Sequence, residues 1–129
     1  MRKDRLLQKA LGLVNEARYE MGMEPLQRFP RGTPGSAVEC PLTYALGEHA
    51  TVLEDHVLVP PNVVGALLSA WRTRAVFDEY HNSPAVVLPA TLKQFVALFD
   101  AGKIPELIHE GQRPAPRERR TARARTAPA

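Results

Sequence analysis

The sequence contains few aromatic residues, a single cysteine and no long apolar run. Aromatic side chains make up 6% of the 129 residues, so the core is expected to be aliphatic. The one cysteine, Cys40, excludes an internal disulfide framework and fits a reducing compartment. Lys9 interrupts the apolar stretch after the basic N-terminus, and no segment approaches the roughly 20 apolar residues that cross a bilayer. We therefore expect a cytoplasmic protein without membrane contact.

Side chains that could carry chemistry are present, but their spacing matches no common site. The histidines show neither of the short spacings that are typical of zinc ligands, so we predict no metal and no cofactor. Cys40 is expected to be a buried apolar side chain beside Pro41. We predict that the protein is not an enzyme, because the sequence carries no catalytic signature and Cys40 could act as a nucleophile only with a histidine close in space. The four histidines are His49, His56, His81 and His109.

Residues 111–129 differ in composition from the rest of the chain. This segment contains six of the 17 lysine and arginine residues and only one of the 14 acidic residues, Glu118. Its charge is therefore about +5, whereas residues 1–110 carry about −2, and the whole chain carries +3. It has no large apolar side chain, so burial cannot offset the entropy of ordering it. We expect one globular domain over residues 1–110 and a disordered basic tail over residues 111–129.

All basic residues of the tail are arginines, which bind phosphates and carboxylates through charge and paired N–H groups. On nucleic acid such a tail would give salt-sensitive binding without sequence preference, because each neutralised phosphate releases counterions. The same side chains would also bind an acidic protein surface. Base stacking by the tail is not expected, because no aromatic residue accompanies the arginines. The candidate contact residues are Arg113, Arg117, Arg119, Arg120, Arg123 and Arg125.

A second, smaller basic patch is predicted on the folded part of the chain. Arg2, Lys3 and Arg5 lie at the start of the first predicted helix, where the helix dipole favours acidic residues, and this misfit suggests a function. Arg28 and Arg31 lie in the segment of residues 27–36. That segment lacks the motif of a phosphate-binding loop, so we interpret it as a connecting loop. These five residues are secondary candidates for contact with a polyanion.

Hydrophobic periodicity predicts two helices clearly. Apolar residues at helical spacing predict a helix over residues 4–21, which Gly22 would end, and another over residues 91–101, which Gly102 would end. Gly12, inside the first helix, suggests that a neighbouring element approaches closely there. Thr91 and Gln94 have the spacing of a capping box.

Shorter elements are predicted between these two helices. Pro41 suits the first position of a short helix over residues 41–47, and β-prone runs over residues 50–53 and 56–59 predict a hairpin with Glu54 and Asp55 at its solvated tip. A further helix is expected to start at residues 60–61 and fade between residues 78 and 82. A third β-prone run covers residues 85–88, and an apolar turn covers residues 104–108. We expect an α+β, predominantly helical fold in which four helices surround a small two- or three-stranded sheet.

Two short segments of the folded part form a recognisable pair. The first contains Cys40, Pro41, Leu42, Ala45 and Leu46, and the second contains Leu88, Pro89, Phe95, Phe99, Asp100, Gly102, Pro105 and Leu107. Together they resemble small uncharacterised proteins of actinobacteria and their phages, which pair a CP(I/L)…AL segment with a late LP…F…FD.G..P.L segment. The resemblance spans residues 40–108 and implies a shared fold and an actinobacterial or actinophage setting. It implies no chemistry, so no functional residue is carried over.

The charge contrast between tail and body favours a small accessory or regulatory protein without enzymatic activity. In this interpretation the tail contacts nucleic acid or a nucleoprotein, and the folded body contacts a protein partner. The alternative is a protein-interaction module, such as a phage-type regulator or assembly factor, that binds an acidic host protein without nucleic acid. The sequence leaves the oligomeric state open.

Overall fold

A computed structural model describes residues 3–47 and 49–109 of the chain. Over this range the protein has an α+β fold with four α-helices and one antiparallel sheet, so the predicted fold class is confirmed. The predicted tail, residues 111–129, lies outside the described residues, and so does Arg2. No helix within the two described ranges combines the length and the apolar character needed to span a bilayer.

The helices match the predicted periodicity. In the first helix, the buried residues follow each other at helical spacing, and Gly22, with a φ of 76°, ends the helix as predicted. A short 3₁₀ turn, Pro105–Leu107, occupies the predicted apolar turn after the last helix. The four helices are α1 (Lys3–Glu20), α2 (Pro41–Leu46), α3 (Pro61–Trp71) and α4 (Ala90–Asp100).

The sheet has four strands rather than the two or three expected. They are β1 (Thr51–Val52), β2 (His56–Leu58), β3 (Ala75–Asp78) and β4 (Ser83–Val87), and their spatial order is β1-β2-β4-β3. Every neighbouring pair is antiparallel, so β2 and β3 run parallel to each other and α3 connects them. The last strand, β4, returns as a hairpin into the space between β2 and β3.

The prediction that α3 continues to residues 78–82 is wrong. The helix ends at Trp71 because Arg72 adopts a left-handed conformation, with a φ of 56°, and donates its N–H to the Leu68 carbonyl. The residues that follow form β3, in which Val76 pairs with Ala85 and Phe77 pairs with Pro84. Residues 75–78 are compatible both with a helix, by their spacing, and with a strand, by their β propensity. The pairing with β4 stabilises the strand.

The core lies between one face of the sheet and the helices. Val57 and Val86, which pair with each other on β2 and β4, are fully buried on that face. Phe29, from the loop before α2, stacks on Phe95 of α4 with ring centroids 4.4 Å apart. Trp71 is buried and donates its indole N–H to the Leu13 carbonyl at 2.9 Å, which fixes α3 against α1.

Gly32 lets three separate parts of the chain meet. Its N–H donates to the Leu107 carbonyl at 2.7 Å, and its own carbonyl accepts the His109 N–H at 2.9 Å, which forms a parallel bridge. A side chain at this position would place its Cβ only 2.6 Å from Pro41 Cδ and against the Glu39 carbonyl. Only glycine therefore allows the loop, the start of α2 and the C-terminal turn to pack together.

Two local predictions from the sequence are wrong. Among residues 3–47 and 49–109, no other element places a heavy atom within 4 Å of the position that a Cβ would take at Gly12, so the predicted close approach is not found there. The capping box of Thr91 and Gln94 does not form either. Pro89 is the N-cap residue of α4, so Thr91 lies inside the first turn and no side chain caps the helix.

Replacing Gly32 with alanine should destabilise the protein by about 1–3 kcal/mol, because the added methyl group overpacks backbone that cannot move away easily. The matched control is Gly12→Ala, at an open site in a helix, which should raise stability by up to about 1 kcal/mol. Urea unfolding monitored by circular dichroism measures both changes. Equal stability of Gly32→Ala and the wild type would contradict the packing described here.

Candidate functional site

The C-terminal turn lies between two of the predicted basic residues. Lys3, at the start of α1, forms an ion pair with Glu106 of this turn, with 3.3 Å between Nζ and Oε2. On the other side, Gly32 pairs with Leu107 and His109, so Arg31 is next to the end of the folded body. The structure therefore brings Lys3 and Arg31 to the place from which the chain continues towards residue 111. We call this surface the exit face.

Arg28 and Arg31 are exposed on the loop that forms one side of the exit face. Phe29, between them, is buried against Phe95, so the loop is anchored while both guanidinium groups lie at the surface. Within residues 3–47 and 49–109, neither arginine side chain forms a hydrogen bond or ion pair, and the side chain of Arg5 forms none either. No contact in this range joins Arg5 or Arg28 to Lys3.

The backbone N–H groups of the loop are used within the protein. Gly35 donates to Asp100 Oδ1 at 2.9 Å, Thr33 donates to the Glu39 carbonyl at 2.7 Å, and Ser36 donates to the Thr33 carbonyl at 3.3 Å. In this conformation these groups cannot bind an external anion. These three N–H groups therefore do not contribute to anion binding at the exit face.

Cys40 is buried, as predicted. Burial raises the pKa of its thiol to about 12, although the backbone N–H groups of Leu42 and Thr43 act in the opposite direction. The thiol therefore stays protonated at neutral pH and is a poor nucleophile.

A cluster of two histidines and two aspartates lies on the sheet, and the sequence did not predict it. His56 Nδ1 lies 2.6 Å from Asp55 Oδ1, and His56 Nε2 lies 2.7 Å from Asp78 Oδ2. Asp78 also accepts the backbone N–H of His81 at 2.9 Å, and its Oδ2 lies 3.0 Å from His81 Nδ1. We call these four residues the histidine cluster.

The cluster favours the doubly protonated ring of His56. Hydrogen bonds from His56 lower the pKa values of both Asp55 and Asp78, so both carboxylates are ionised at neutral pH. Partial burial of the ring opposes its charge, but the hydrogen bonds to Asp78 and Asp55 outweigh that effect and raise the pKa of His56. Only the imidazolium can donate to two carboxylates at once, because the neutral ring has one N–H.

The histidine cluster bends the β3–β4 hairpin over the sheet. His56 pairs with Val87 on β4, whereas Asp78 pairs with Ser83, four residues away on the same strand. In a flat sheet this offset would separate the two residues by about 13 Å along the strand direction. The contact of 2.7 Å between ring and carboxylate therefore requires the hairpin to curve towards His56. Leu58 and Ala85 are buried on this same face of the sheet, as the curvature predicts.

The interpretation of Asp55 as only a solvated hairpin tip is incomplete. Its side chain is 67% exposed, yet it orients the ring of His56. The adjacency of Asp55 and His56 and the spacing of Asp78 and His81 were visible in the sequence. His56 and Asp78 meet because residues 75–78 form β3, whereas the sequence predicted a helix there. The described part of the chain contains no group of three or more such ligands that could hold a metal ion.

The β3–β4 hairpin also exposes two large apolar side chains. Phe77, on the outermost strand, is 57% exposed, and Tyr80, in the turn, is 92% exposed. His81 contacts the Tyr80 ring edge to face, with centroids 4.9 Å apart. Exposed aromatic residues next to the outer strand of a sheet are typical of a protein-binding surface.

Comparisons of the chain with protein-family models, with curated proteins and with solved structures gave no significant match. The resemblance to actinobacterial and actinophage proteins therefore stays a prediction.

The histidine cluster should make the free energy of unfolding fall as the pH rises. The folded-state pKa of His56 is raised, so its contribution is complete below the usual value of 6.5 and is lost as the pH rises through the folded-state pKa. Urea unfolding at pH 6 and at pH 8 should show a loss of at most about 1 kcal/mol in the wild type, since the pairs are partly exposed. At pH 8 the thiol of Cys40 is still mostly protonated in the unfolded chain and adds little to this loss. His56→Gln should remove that loss.

The matched control is His49→Gln, because His49 is an exposed histidine without a partner among residues 3–47 and 49–109. It should keep the pH dependence of the wild type. If both variants respond to pH alike, the cluster does not stabilise the hairpin.

Proposed function

We propose that the protein is a small non-enzymatic accessory or regulatory protein with two binding surfaces. The arginine-rich segment of residues 111–129, supported by the exit face, contacts nucleic acid or a nucleoprotein. The folded body contacts a protein partner. The protein acts by holding these two partners together and needs no cofactor.

The separation of charge along the chain supports this proposal most strongly. The folded body is weakly acidic, at about −2, whereas residues 111–129 carry about +5. A polycation attached to a body of opposite sign is attracted to external phosphates, while the body is not. The exposed Arg28 and Arg31 of the exit face extend the cationic surface onto the folded body beside the C-terminal turn, whereas the charge of Lys3 is balanced by Glu106.

The β3–β4 hairpin supports the second half of the proposal. It combines the exposed side chains of Phe77 and Tyr80 with the edge of the outer strand, which pairs with no other strand of the described residues. These features lie on the sheet, whereas the exit face lies at the C-terminal turn, so the two surfaces are formed by different elements. Separate surfaces are what a protein needs if it is to bind two partners at once.

Fluorescence anisotropy with a labelled DNA duplex over a salt series tests the first surface. If all six arginines of residues 111–129 neutralise phosphates, affinity should fall about 10³-fold between 50 and 200 mM salt. A chain that ends at Glu110 should bind weakly and show a much smaller salt slope. Equal binding by the shortened and the full chain would contradict the proposal.

A matched pair of variants separates charge from side-chain type. Replacing the six arginines with lysine keeps the charge and should keep most of the salt slope, whereas replacing them with glutamine should abolish it.

The alternative function, binding of an acidic protein, is tested with a synthetic acidic peptide. If the full chain binds this peptide but neither DNA nor RNA, the alternative is correct.

Charge reversal on the folded body tests the exit face. Arg31→Glu should weaken DNA binding by the full chain several-fold, because a negative charge is placed where the basic segment begins. Lys93→Glu makes the same change in charge at an exposed position on the side of Asp55, away from the C-terminal turn, and is the control. Identical losses in the two variants would show that only net charge matters and that the exit face has no part in binding.

A further inference from the structure

We propose that the outer edge of β3 pairs with β3 of a second copy of this chain, antiparallel and centred on Val76. This inference names the protein partner that the proposed function leaves open. It rests on the proposed function only in treating the folded body as a protein-binding surface.

The register of the sheet shows which backbone groups face outwards. Val87 donates its N–H to the Arg74 carbonyl, so residues 74, 76 and 78 direct their backbone groups towards β4. Ala75 and Phe77 therefore direct their N–H and C=O groups away from the sheet. Both residues are exposed, and no backbone partner within the described ranges covers them. These groups can form four hydrogen bonds with an added strand in a two-fold arrangement.

The two edges of the sheet differ. At the β1 edge, the outward N–H of Val52 donates to the Ala37 carbonyl at 2.9 Å, so the loop before α2 covers that edge. The β3 edge has no such cover in the described structure, and its four residues, Ala75–Asp78, include none of the lysine or proline residues that usually prevent edge pairing. An open edge of this kind pairs with an extended strand by β-augmentation.

Charge around β3 favours a second copy in the antiparallel direction. The strand is preceded by the exposed Arg72 and Arg74 and ends with Asp78 and Glu79. With Val76 on the two-fold axis, the end of β3 that carries Arg72 and Arg74 in each copy lies beside the end that carries Asp78 and Glu79 in the other. Asp78 is already bound to His56 and His81, so the exposed Glu79 carries the unpaired negative charge of that end. A parallel arrangement would place like charges side by side, which is destabilising.

The exposed aromatic side chain fits the same register. Phe77 of one copy lies opposite Ala75 of the other and on the same face, so its large ring covers a small residue. The arrangement buries the ring, which is 57% exposed in the single chain. Because the strand is short, we expect a weak dimer that forms at high micromolar concentration.

Cysteine crosslinking tests the register directly. In the proposed pairing, Val76 lies opposite its own copy in a non-hydrogen-bonded pair, where the Cβ atoms are close enough for a disulfide. Val76→Cys should therefore form a crosslinked dimer on mild oxidation. The native Cys40 does not interfere, because its thiol is buried and its pKa is raised to about 12.

The control is Phe77→Cys. In the proposed register the two Cys side chains at this position are diagonal neighbours, about 7–8 Å apart, which is too far for a relaxed disulfide. Val76→Cys should crosslink at least about tenfold faster than Phe77→Cys. Equal rates at the two positions would overturn the proposed pairing.

Sedimentation equilibrium measures association without a new cysteine. The wild type should form dimers, and Arg74→Asp should weaken dimerisation about tenfold or more, because it places two acidic residues opposite each other. Arg28→Asp, which changes an exposed arginine on the exit face, should dimerise like the wild type. A wild type that stays monomeric at high micromolar concentration would overturn the inference. No nucleic acid is present in either experiment, so this failure would be distinct from failure of polyanion binding.

Discussion

The close approach of backbone at Gly32 is the constraint on which the candidate site depends. Three segments that are distant in sequence meet there: the loop before α2, the start of α2 and the C-terminal turn. Because no side chain separates them, the turn is fixed beside Arg31, and Lys3 pairs with Glu106 on its other side. The position of the exit face thus follows from the absence of one side chain.

A second interaction, the pairing of His56 with two carboxylates, shapes the sheet. Sheets twist by themselves, but curvature strong enough to bring Asp78 to His56 needs an attraction across the face. Charge supplies that attraction, and the buried Leu58 and Ala85 lie beneath the curved hairpin. The hairpin that carries Phe77 is therefore linked to β2 by the side chain of His56 as well as by the pairing of β4.

Most of the helical framework could be predicted from the sequence, because each helix carries an apolar stripe that local periodicity reveals. The apolar residues of α1 and α4 are buried as their spacing indicated. The strand β3 could not be predicted in this way, because Ala75 continues the helical spacing of the apolar residues of α3 and only the partner strand selects the extended form. The same limit applies to the candidate site, where the exposed arginines could be identified from the sequence but the histidine cluster could not. The meeting of His56 with Asp78 requires knowledge of long-range pairing.

The covered β1 edge has a consequence for how far association can proceed. Since Val52 already donates to Ala37, the sheet offers free backbone groups on one side only, as far as the described part of the chain is concerned. Contact through such a single side closes on itself, as in any isologous pair, and cannot propagate into a fibre. The loop that carries Ala37 therefore prevents open-ended polymerisation through the edges of the sheet.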